Sequence, residues 1–252
     1  MRRFLRGALV AVVIVATWWV LTELHLWSAY VLPTPARVWS SAVEMTMSGE
    51  LGEHVVISFG RVLVGFGIAF GLAFALGVVA LLLPGPDGFI APVLSFLKNV
   101  PPLALIPLLI LWFGIDETAK VIVIVLTAFF PMYMSTKKGL QACSPQLLEV
   151  GTSLHFSAAK QFFLIRLPHA VPDVLVGMRI SLGFAWRALI GAEMIAAASG
   201  LGYLILDAQR MSRSDKVIVG IVTIGLVGIL CDRLFSRAVR SSMRWGIDDS
   251  WS

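Results

Sequence analysis

Six long apolar runs limit what this chain of 252 residues can fold into. Each run is close to the roughly 20 residues that an α-helix needs to cross the hydrocarbon core of a bilayer. Hydrophobic residues make up 58% of the chain and charged residues 14%, so a soluble domain of this length could not bury its apolar surface. The predicted spans are Ala8–Leu26, Val62–Leu83, Ile90–Phe113, Ala119–Ser135, Pro172–Ala198 and Val217–Phe235. The sequence therefore predicts an all-α membrane protein with about six transmembrane helices.

No internal repeat, low-complexity segment or linker divides the chain. We therefore predict a single transmembrane domain over residues 1–252, with its core spans at 58–235. The first span follows three arginines and resembles a signal peptide, but it lacks a small-residue cleavage site, and we expect it to be retained. The third span is interrupted by Pro101, Pro102 and Pro107. Small residues of the second span predict close helix packing: Gly65, Gly67, Gly71 and Gly77.

The basic residues predict the orientation, because short cytoplasmic loops carry an excess of Lys and Arg. With the N-terminus inside, most bases fall on the inner side: Arg2, Arg3, Arg6, Lys137, Lys138, Lys160, Arg166, Arg233, Arg237, Arg240 and Arg244. Both termini and segment 137–169 are therefore predicted to be cytoplasmic. Residues 28–54 and the loop over residues 199–215 are predicted to lie outside. The net charge of +5 favours inner loops over a nucleic-acid surface. Cys143 and Cys231 both fall inside, so no disulfide is expected.

Segment 137–169 is a long polar segment between two apolar runs. Ser144 suits an N-cap and Pro145 the first helical position, which predicts a short helix ending near Leu154. Its apolar residues form one stripe along the helix: Leu147, Val150 and Leu154.

A second short helix is predicted from Ala158 to Ile165, because Ser157 can cap its start and Pro168 ends it. A turn over His155 to Ser157 separates the two helices. Two helices joined in this way can hold a soluble partner. Alternatively, they form an amphipathic hairpin on the protein surface.

No motif for catalysis or metal binding is visible in the sequence. The chain has no phosphate-binding Gly-x-x-x-x-Gly-Lys-[Ser/Thr], no Gly-x-Ser-x-Gly elbow, no His-Glu-x-x-His and no Cys/His metal spacing. The four histidines lie in predicted loops or at span ends: His25, His54, His155 and His169. We therefore expect no enzymatic activity, and no cofactor or metal bound by this chain.

Segment 137–169 resembles the cytoplasmic coupling loop of bacterial ATP-binding-cassette (ABC) importer permeases. The family pattern opens with Glu-Ala-Ala, has a glycine at the turn and closes with apolar-x-Leu-Pro. Glu149-Val-Gly151 stands at the opening and Ile165-Arg-Leu-Pro168 at the close, whereas His155 replaces the turn glycine and Phe156 is bulkier than the usual residue. The resemblance implies these ATPase-coupling residues: Glu149, Val150, Gly151, His155, Phe156, Leu167 and Pro168.

Three further stretches resemble permeases for sulfonates, taurine and nitrate. Residues 99–120 are similar to their third span and the turn after it, and are most like alkanesulfonate permeases. Residues 192–208 are similar to the end of their fifth span and the outer loop, and Leu32-Pro-Thr-Pro35 also recurs there. The resemblance implies a type I ABC importer fold in the bacterial cytoplasmic (inner) membrane. It also implies a permease homodimer, a cytosolic ATPase dimer that binds ATP and Mg²⁺, and an extracytoplasmic substrate-binding protein.

Charged residues inside a span cost about 2.5 to 3.5 kcal/mol near its centre, so each needs a partner or a wet cavity. Arg187, near mid-span, either offers its guanidinium to a sulfonate or other oxyanion or pairs with a carboxylate. Glu193 is expected to hold the outer loop or gate, and Arg179 to reach the interface or pair locally. The prolines of the third span are packing kinks or shape the pathway. The candidate pathway residues are Arg187, Glu193, Asn99, Pro101 and Pro102.

The predicted function is that of a permease subunit that imports a small organic anion by alternating access, driven by separate ATPase subunits. An aliphatic sulfonate is the first candidate substrate, with taurine or nitrate also open. The alternative is a stand-alone secondary transporter or channel. Such a protein needs several acidic residues in its spans for ion coupling, and Glu193 alone supports this alternative only weakly. Co-purification with an ATPase separates the two.

Overall fold

The computed structural model describes residues 2–24, 27–83 and 87–242, and this part of the chain consists of helices joined by short irregular segments and contains no strand. Its α-helices are α1 (Arg2–Glu23), α2 (Pro35–Met47), α3 (Glu50–Leu82), α4 (Asp87–Asn99), α5 (Ile106–Phe113), α6 (Glu117–Gln141), α7 (Pro145–Ser153), α8 (Ala158–Gln161), α9 (Leu167–Ala196), α10 (Leu201–Arg210) and α11 (Ser214–Ser242). A 3₁₀ turn (Pro102–Leu105) precedes α5, and a π-helical turn (Phe162–Arg166) precedes α9. The predicted all-α architecture is confirmed.

Within the described residues, four helical segments are long and apolar enough to cross a membrane: Glu50–Leu82, Glu117–Gln141, Ala158–Ala196 and Ser214–Arg240. They correspond to the second, fourth, fifth and sixth predicted spans. The third predicted span is a bent pair, Pro92–Asn99 and Pro102–Phe113, whose two parts meet at 84° and count as a fifth crossing if they form one broken span. The first predicted span overlaps α1, in which Val12–Glu23 is a shorter apolar helix. Its last residues, His25 and Leu26, lie outside the described part of the chain.

The helices extend beyond the apolar runs that predicted them, because backbone hydrogen bonding continues where the hydropathy falls. Helix α3 begins at Glu50 rather than Val62, and α6 continues past Lys138 to Gln141. Acidic residues in the first turn of α3 and Lys138 in the last turn of α6 complement the helix dipoles. The start of segment 137–169, predicted as a loop, is therefore the end of α6.

The chain forms two compact units, the first within residues 1–58 and 197–227 and the second within 59–196 and 228–252. In the first unit, both segments predicted to lie outside contain a helix, α2 and α10. The loop prediction for residues 199–215 is therefore wrong. The hydroxyl of Thr34 caps α2 by accepting from the N–H of Arg37 at 3.3 Å. Helix α10 is stabilised by burial, since Leu204 packs in one cluster with Met45 and Val219.

The N-terminus of α10 is capped by two side chains of α3. The N–H of Gly200 donates to Nδ1 of His54 at 3.0 Å, and the N–H of Leu201 donates to Oγ of Ser58 at 2.8 Å. These bonds satisfy donors that the first turn of a helix leaves unpaired. Beyond the other end of α10, the hydrogen bond from Arg213 to Asp215 raises the pKa of the Arg213 guanidinium above its usual value.

In the second unit, α6 packs along α9, and glycines bring α3, α6 and α9 close together. Gly65 and Gly77 of α3 lie against Ile124 and Thr136 of α6, which confirms the close packing predicted for them. A Cβ at Gly67 or Gly71, in contrast, would meet no atom of another described element within 4 Å. Close packing within the described part of this chain therefore does not use these two glycines.

Gly139→Ala is expected to destabilise the second unit by about 1 to 3 kcal/mol, because an added Cβ overpacks the contact of α6 with α9. It would lie 2.8 Å from Cβ of Asp173, 3.0 Å from the carbonyl oxygen of Ala170 and 3.2 Å from its Cα, so backbone must move. The midpoint of chemical unfolding in detergent measures the effect. Gly67→Ala is the matched control, and it should be neutral or slightly stabilising, since Ala has the higher helix propensity. Equal midpoints for the two variants would contradict the packing argument.

Candidate functional site

The segment that joins α6 to α9 forms two short helices, as predicted. Oγ of Ser144 accepts from the N–H of Leu147 at 3.4 Å and caps α7, with Pro145 at its first position. Oγ of Ser157 accepts from the N–H of Lys160 at 3.3 Å and caps α8. We call residues 144–166 the coupling element, after the role that the sequence resemblance predicts for it.

The turn between α7 and α8 is a complete Schellman motif. The N–H of His155 donates to the carbonyl of Thr152 at 2.9 Å, and the N–H of Phe156 donates to the carbonyl of Gly151 at 3.0 Å. His155 has a φ of 55°, the left-handed conformation that glycine adopts most easily and that His tolerates better than branched residues do. The sequence left the geometry of this turn in doubt because His155 replaces a glycine, and the structure keeps the glycine-type turn.

Gly151 lets α7 approach the segment that follows α8. A Cβ at this position would lie 2.7 Å from Cδ1 of Ile165 and 3.3 Å from Cγ of Gln161. Nε2 of Gln161 also donates to Oγ1 of Thr152 at 3.2 Å. The two helices of the coupling element are thus held together by packing as well as by the turn.

The apolar stripe predicted on α7 is exposed. Leu147, Val150 and Leu154 are 47%, 56% and 59% exposed, and the side chain of Glu149 is also exposed. Within the described residues, Glu149 makes no hydrogen bond or ion pair. Phe156 is half-buried and carries Nζ of Lys160 at 4.1 Å from its ring centroid. An exposed apolar stripe beside a free carboxylate is typical of a surface that a partner covers.

Pro168 does not end the second helix, which corrects the sequence prediction. The chain passes from α8 through the π-helical turn into α9, and the segment Ala158–Ala196 is continuous. The N–H of Leu167 bonds the carbonyl of Phe162, and this wider turn directly precedes the proline, whose ring would clash with a regular turn. Leu167 is half-buried and Pro168 exposed. The coupling element is therefore joined to α9 without a break.

The candidate pathway residues of the third span lie at its bend. Asn99 is the last residue of α4, and its Nδ2 donates to the carbonyl of Ser95 at 2.7 Å. Pro101 precedes the 3₁₀ turn and Pro102 begins it, so the break falls between residues 99 and 102. The two prolines produce the bend, as predicted, because neither can continue the hydrogen bonding of α4. Whether they line a pathway stays a prediction.

Arg187 lies in α9 with its side chain exposed. Its Nε donates to the carbonyl of Gly183 at 3.0 Å, and its guanidinium lies 4.9 Å from the centroid of the Phe184 ring. No described residue offers it a carboxylate. Arg187 also lines a groove of about 490 Å³ together with Arg179 and Asp232.

Arg179 is paired, with Asp232 of α11 rather than with a residue of its own helix. Nε and Nη2 of Arg179 donate to the two carboxylate oxygens of Asp232 at 2.8 and 2.9 Å. Such a two-bond pair holds the helices in a defined register. Sequence reasoning missed Asp232, although a lone carboxylate in a predicted span was a signal that it needs a partner.

Glu193 belongs to a network of four charges in which Arg61, Lys120 and Glu193 are buried and the Glu117 side chain is 60% exposed. It is completely buried in α9 and accepts from Nη1 of Arg61 at 2.7 Å. Nε and Nη2 of Arg61 donate to the carboxylate of Glu117 at 2.5 and 2.7 Å, and Nζ of Lys120 donates to Glu117 at 2.7 Å. Two cations and two carboxylates make the network formally neutral, and it links α3, α6 and α9.

Sequence reasoning did not identify Arg61, Glu117 and Lys120 as partners of Glu193. A signal was present, because these charges all fall near the outer ends of their predicted spans, where each needs an opposite charge. Their pairing depends on which helices are neighbours, and hydropathy does not show that.

A sequence model of the family described as "Binding-protein-dependent transport system inner membrane component" matches residues 67–243. A Bacillus subtilis (strain 168) protein named as an aliphatic sulfonates transport permease, SsuC, is 39% identical over 96% of this chain and 88% of its own length. The taurine transport system permease protein TauC of Escherichia coli (strain K12) is 32% identical over 87% of this chain and 82% of its own. A solved structure of the MetNI methionine ABC transporter, in inward facing conformations, matches with a TM-score of 0.64 and 15% identity. That match covers 77% of this chain and 94% of the other.

Proposed function

Because the chain belongs to the family of binding-protein-dependent transport system inner membrane components, we propose that it is the permease through which an ATP-driven importer carries a small organic anion. Aliphatic sulfonates are the first candidates, and taurine or nitrate the next. The fold is that of the type I ABC importer permeases. Relatives named for aliphatic sulfonates and for taurine support the choice of substrate class.

The observation that carries the proposal is the exposed coupling element between α6 and α9. The stripe of Leu147, Val150 and Leu154 together with Glu149 would dock into a groove of the ATPase. Three residues join α7 to α6, and a continuous helix joins α8 to α9. Movement of a docked ATPase would therefore reach two membrane spans at once. The ATPase can drive transport in this way if its nucleotide states favour different packings of those spans.

The proposed importer contains two copies of this permease, two cytosolic ATPase subunits and a substrate-binding protein on the outer side of the bacterial inner membrane. ATP and Mg²⁺ bind the ATPase subunits, and this chain binds no cofactor. The coupling element must face the ATPase, so segment 137–169 and both chain termini lie in the cytoplasm. The excess of Lys and Arg on that side supports this orientation.

Arg187 is the proposed contact for the anion. Its guanidinium can donate two parallel hydrogen bonds to a sulfonate, and within the described residues no carboxylate competes for it. Of the two roles open for Arg187 on sequence grounds, this observation supports the contact with an oxyanion.

The test is reconstitution in vesicles with the cognate ATPase and binding protein, measuring ATP hydrolysis with each candidate ligand. An alkanesulfonate should stimulate hydrolysis, with taurine and nitrate as the alternatives. Arg187→Gln should reduce that stimulation by about ten-fold or more, because it removes a charge-assisted hydrogen bond to the anion. Arg210→Gln, at the exposed end of α10, is the matched control. Transport by the permease without its ATPase would refute the proposal and favour a secondary transporter or channel.

A further inference from the structure

A cavity of about 530 Å³ lies between α4 and the C-terminal part of α6, within the second unit. Three lysines line it: Lys98 from α4, and Lys137 and Lys138 from α6. Much of the remaining wall is apolar and includes Phe130 and Met134. The cavity therefore combines ammonium groups with an apolar lining, a chemistry that fits an amphipathic anion.

Lys98 and Lys138 keep positive charge available to a ligand in this cavity. Nζ of Lys138 bonds Oδ1 of Asp173 at 3.0 Å, yet 74% of the Lys138 side chain stays exposed. Lys98 makes no hydrogen bond or ion pair with any described residue. Among the described residues that line the cavity, none carries a carboxylate. Lys98 thus adds a charge that the described part of the chain does not neutralise.

The spacing of charges along α6 predicts that the cavity lies at the depth of a phospholipid headgroup. Glu117 and Lys137 are about 20 residues apart on α6, which at 1.5 Å per residue is about 30 Å, the thickness of the hydrocarbon core. The charged ends of α6 therefore lie near the two membrane boundaries, and the three lysines lie at the end that leads into α7. Exposed apolar side chains of α4, including Val93 and Phe96, offer a surface for acyl chains.

We infer that this cavity binds the headgroup of an anionic phospholipid. Its phosphate meets the ammonium groups of Lys98 and Lys137, and its acyl chains follow the exposed apolar face of α4. Basic pockets between membrane helices on the cytoplasmic side suit such headgroups. A bound lipid bridges α4 and the end of α6 from which the coupling element starts. An effect of the lipid on ATP-driven transport rests on the proposed function, whereas lipid binding itself does not.

Native mass spectrometry of the full-length permease tests the inference directly, by titration with phosphatidylglycerol or phosphatidylcholine. Phosphatidylglycerol should bind more tightly. Lys98→Gln should weaken its binding about five-fold, and Lys98→Gln/Lys137→Gln about 25-fold, since each lysine near the membrane surface contributes about a factor of five. Arg210→Gln removes an exposed charge elsewhere and should leave binding unchanged.

Equal affinity of the permease for the two lipids would overturn the inference, as would unchanged phosphatidylglycerol binding in both lysine variants. The lipid comparison on the unmodified chain needs no variant, so a variant that fails to fold does not remove the test. Displacement of the lipid by inorganic phosphate or methanesulfonate would show that the cavity recognises the free anion, which also contradicts a lipid site. Binding is measured without ATPase or binding protein. A failure to observe import would therefore not contradict lipid binding, and a failure to observe lipid binding would not contradict the import function.

Discussion

Arg61→Met is expected to lower the free energy of unfolding by about 3 to 5 kcal/mol, because it removes one partner from a buried ion network. Glu193, which is completely buried, loses the guanidinium that donates to it at 2.7 Å. Glu117 keeps its hydrogen bond from Lys120. The loss of stability therefore arises mainly from the buried carboxylate of Glu193. Unfolding of the purified permease in mixed micelles, followed by tryptophan fluorescence, measures the change.

Two further variants make this prediction specific to burial. Lys216→Met breaks a partly exposed pair, in which Nζ of Lys216 lies 3.0 Å from Glu50, and should cost no more than about 1 kcal/mol. Arg61→Met/Glu193→Met removes both buried charges and should recover most of the lost stability, because an apolar pair can replace a buried ion pair at little cost. If Arg61→Met lowers the free energy of unfolding by no more than Lys216→Met does, the network does not stabilise the packing of these helices.

Glu149→Arg is expected to abolish co-purification of the ATPase and to reduce ATP-driven transport by at least about 30-fold. Reversing a charge that a partner covers typically costs 2 kcal/mol or more of binding energy, which is about 30-fold in affinity. Glu149 is exposed on α7 and has no hydrogen bond or ion pair within the described residues. The permease itself should therefore fold normally, and the loss should appear in its assembly. Pull-down of the ATPase and transport in proteoliposomes give the two measurements.

Glu44→Arg is the matched control for this reversal, since Glu44 is an exposed carboxylate of α2, away from the coupling element in sequence. It should bind the ATPase as the unchanged permease does, and both variants should keep the unfolding midpoint. Normal assembly and transport by Glu149→Arg would show that this face of α7 does not couple the permease to the ATPase.

The coupling element shows which structural features local sequence patterns can predict. Ser144 and Ser157 were recognisable as caps, and the structure places a helix after each. Capping depends on neighbouring residues only, which a sequence shows directly. The continuation through Pro168 was not predicted, because the π-helical turn that accommodates the proline is an exception to the usual rule that proline ends a helix.

Helices α2 and α10 show the opposite case. The segment of α10 was predicted as a loop, and no helix was predicted for the segment of α2, since the hydropathy of both is low and both lie between spans. They are helical because Leu204 and Met45 find a shared core and because His54 and Ser58 supply caps from α3. Such contacts join residues that are distant in sequence, so no local pattern predicts them.

The sequence by itself determined that this chain is a helical membrane protein with two short capped helices between two of its spans, because hydropathy and capping are properties of short segments. Only the tertiary structure decided that Arg61 meets Glu193, that Gly139 rather than Gly67 must stay small, and that the stripe on α7 is exposed. The physical reason is that charge pairing, close packing and exposure depend on which helices are neighbours. That choice is made by the free energy of the whole fold.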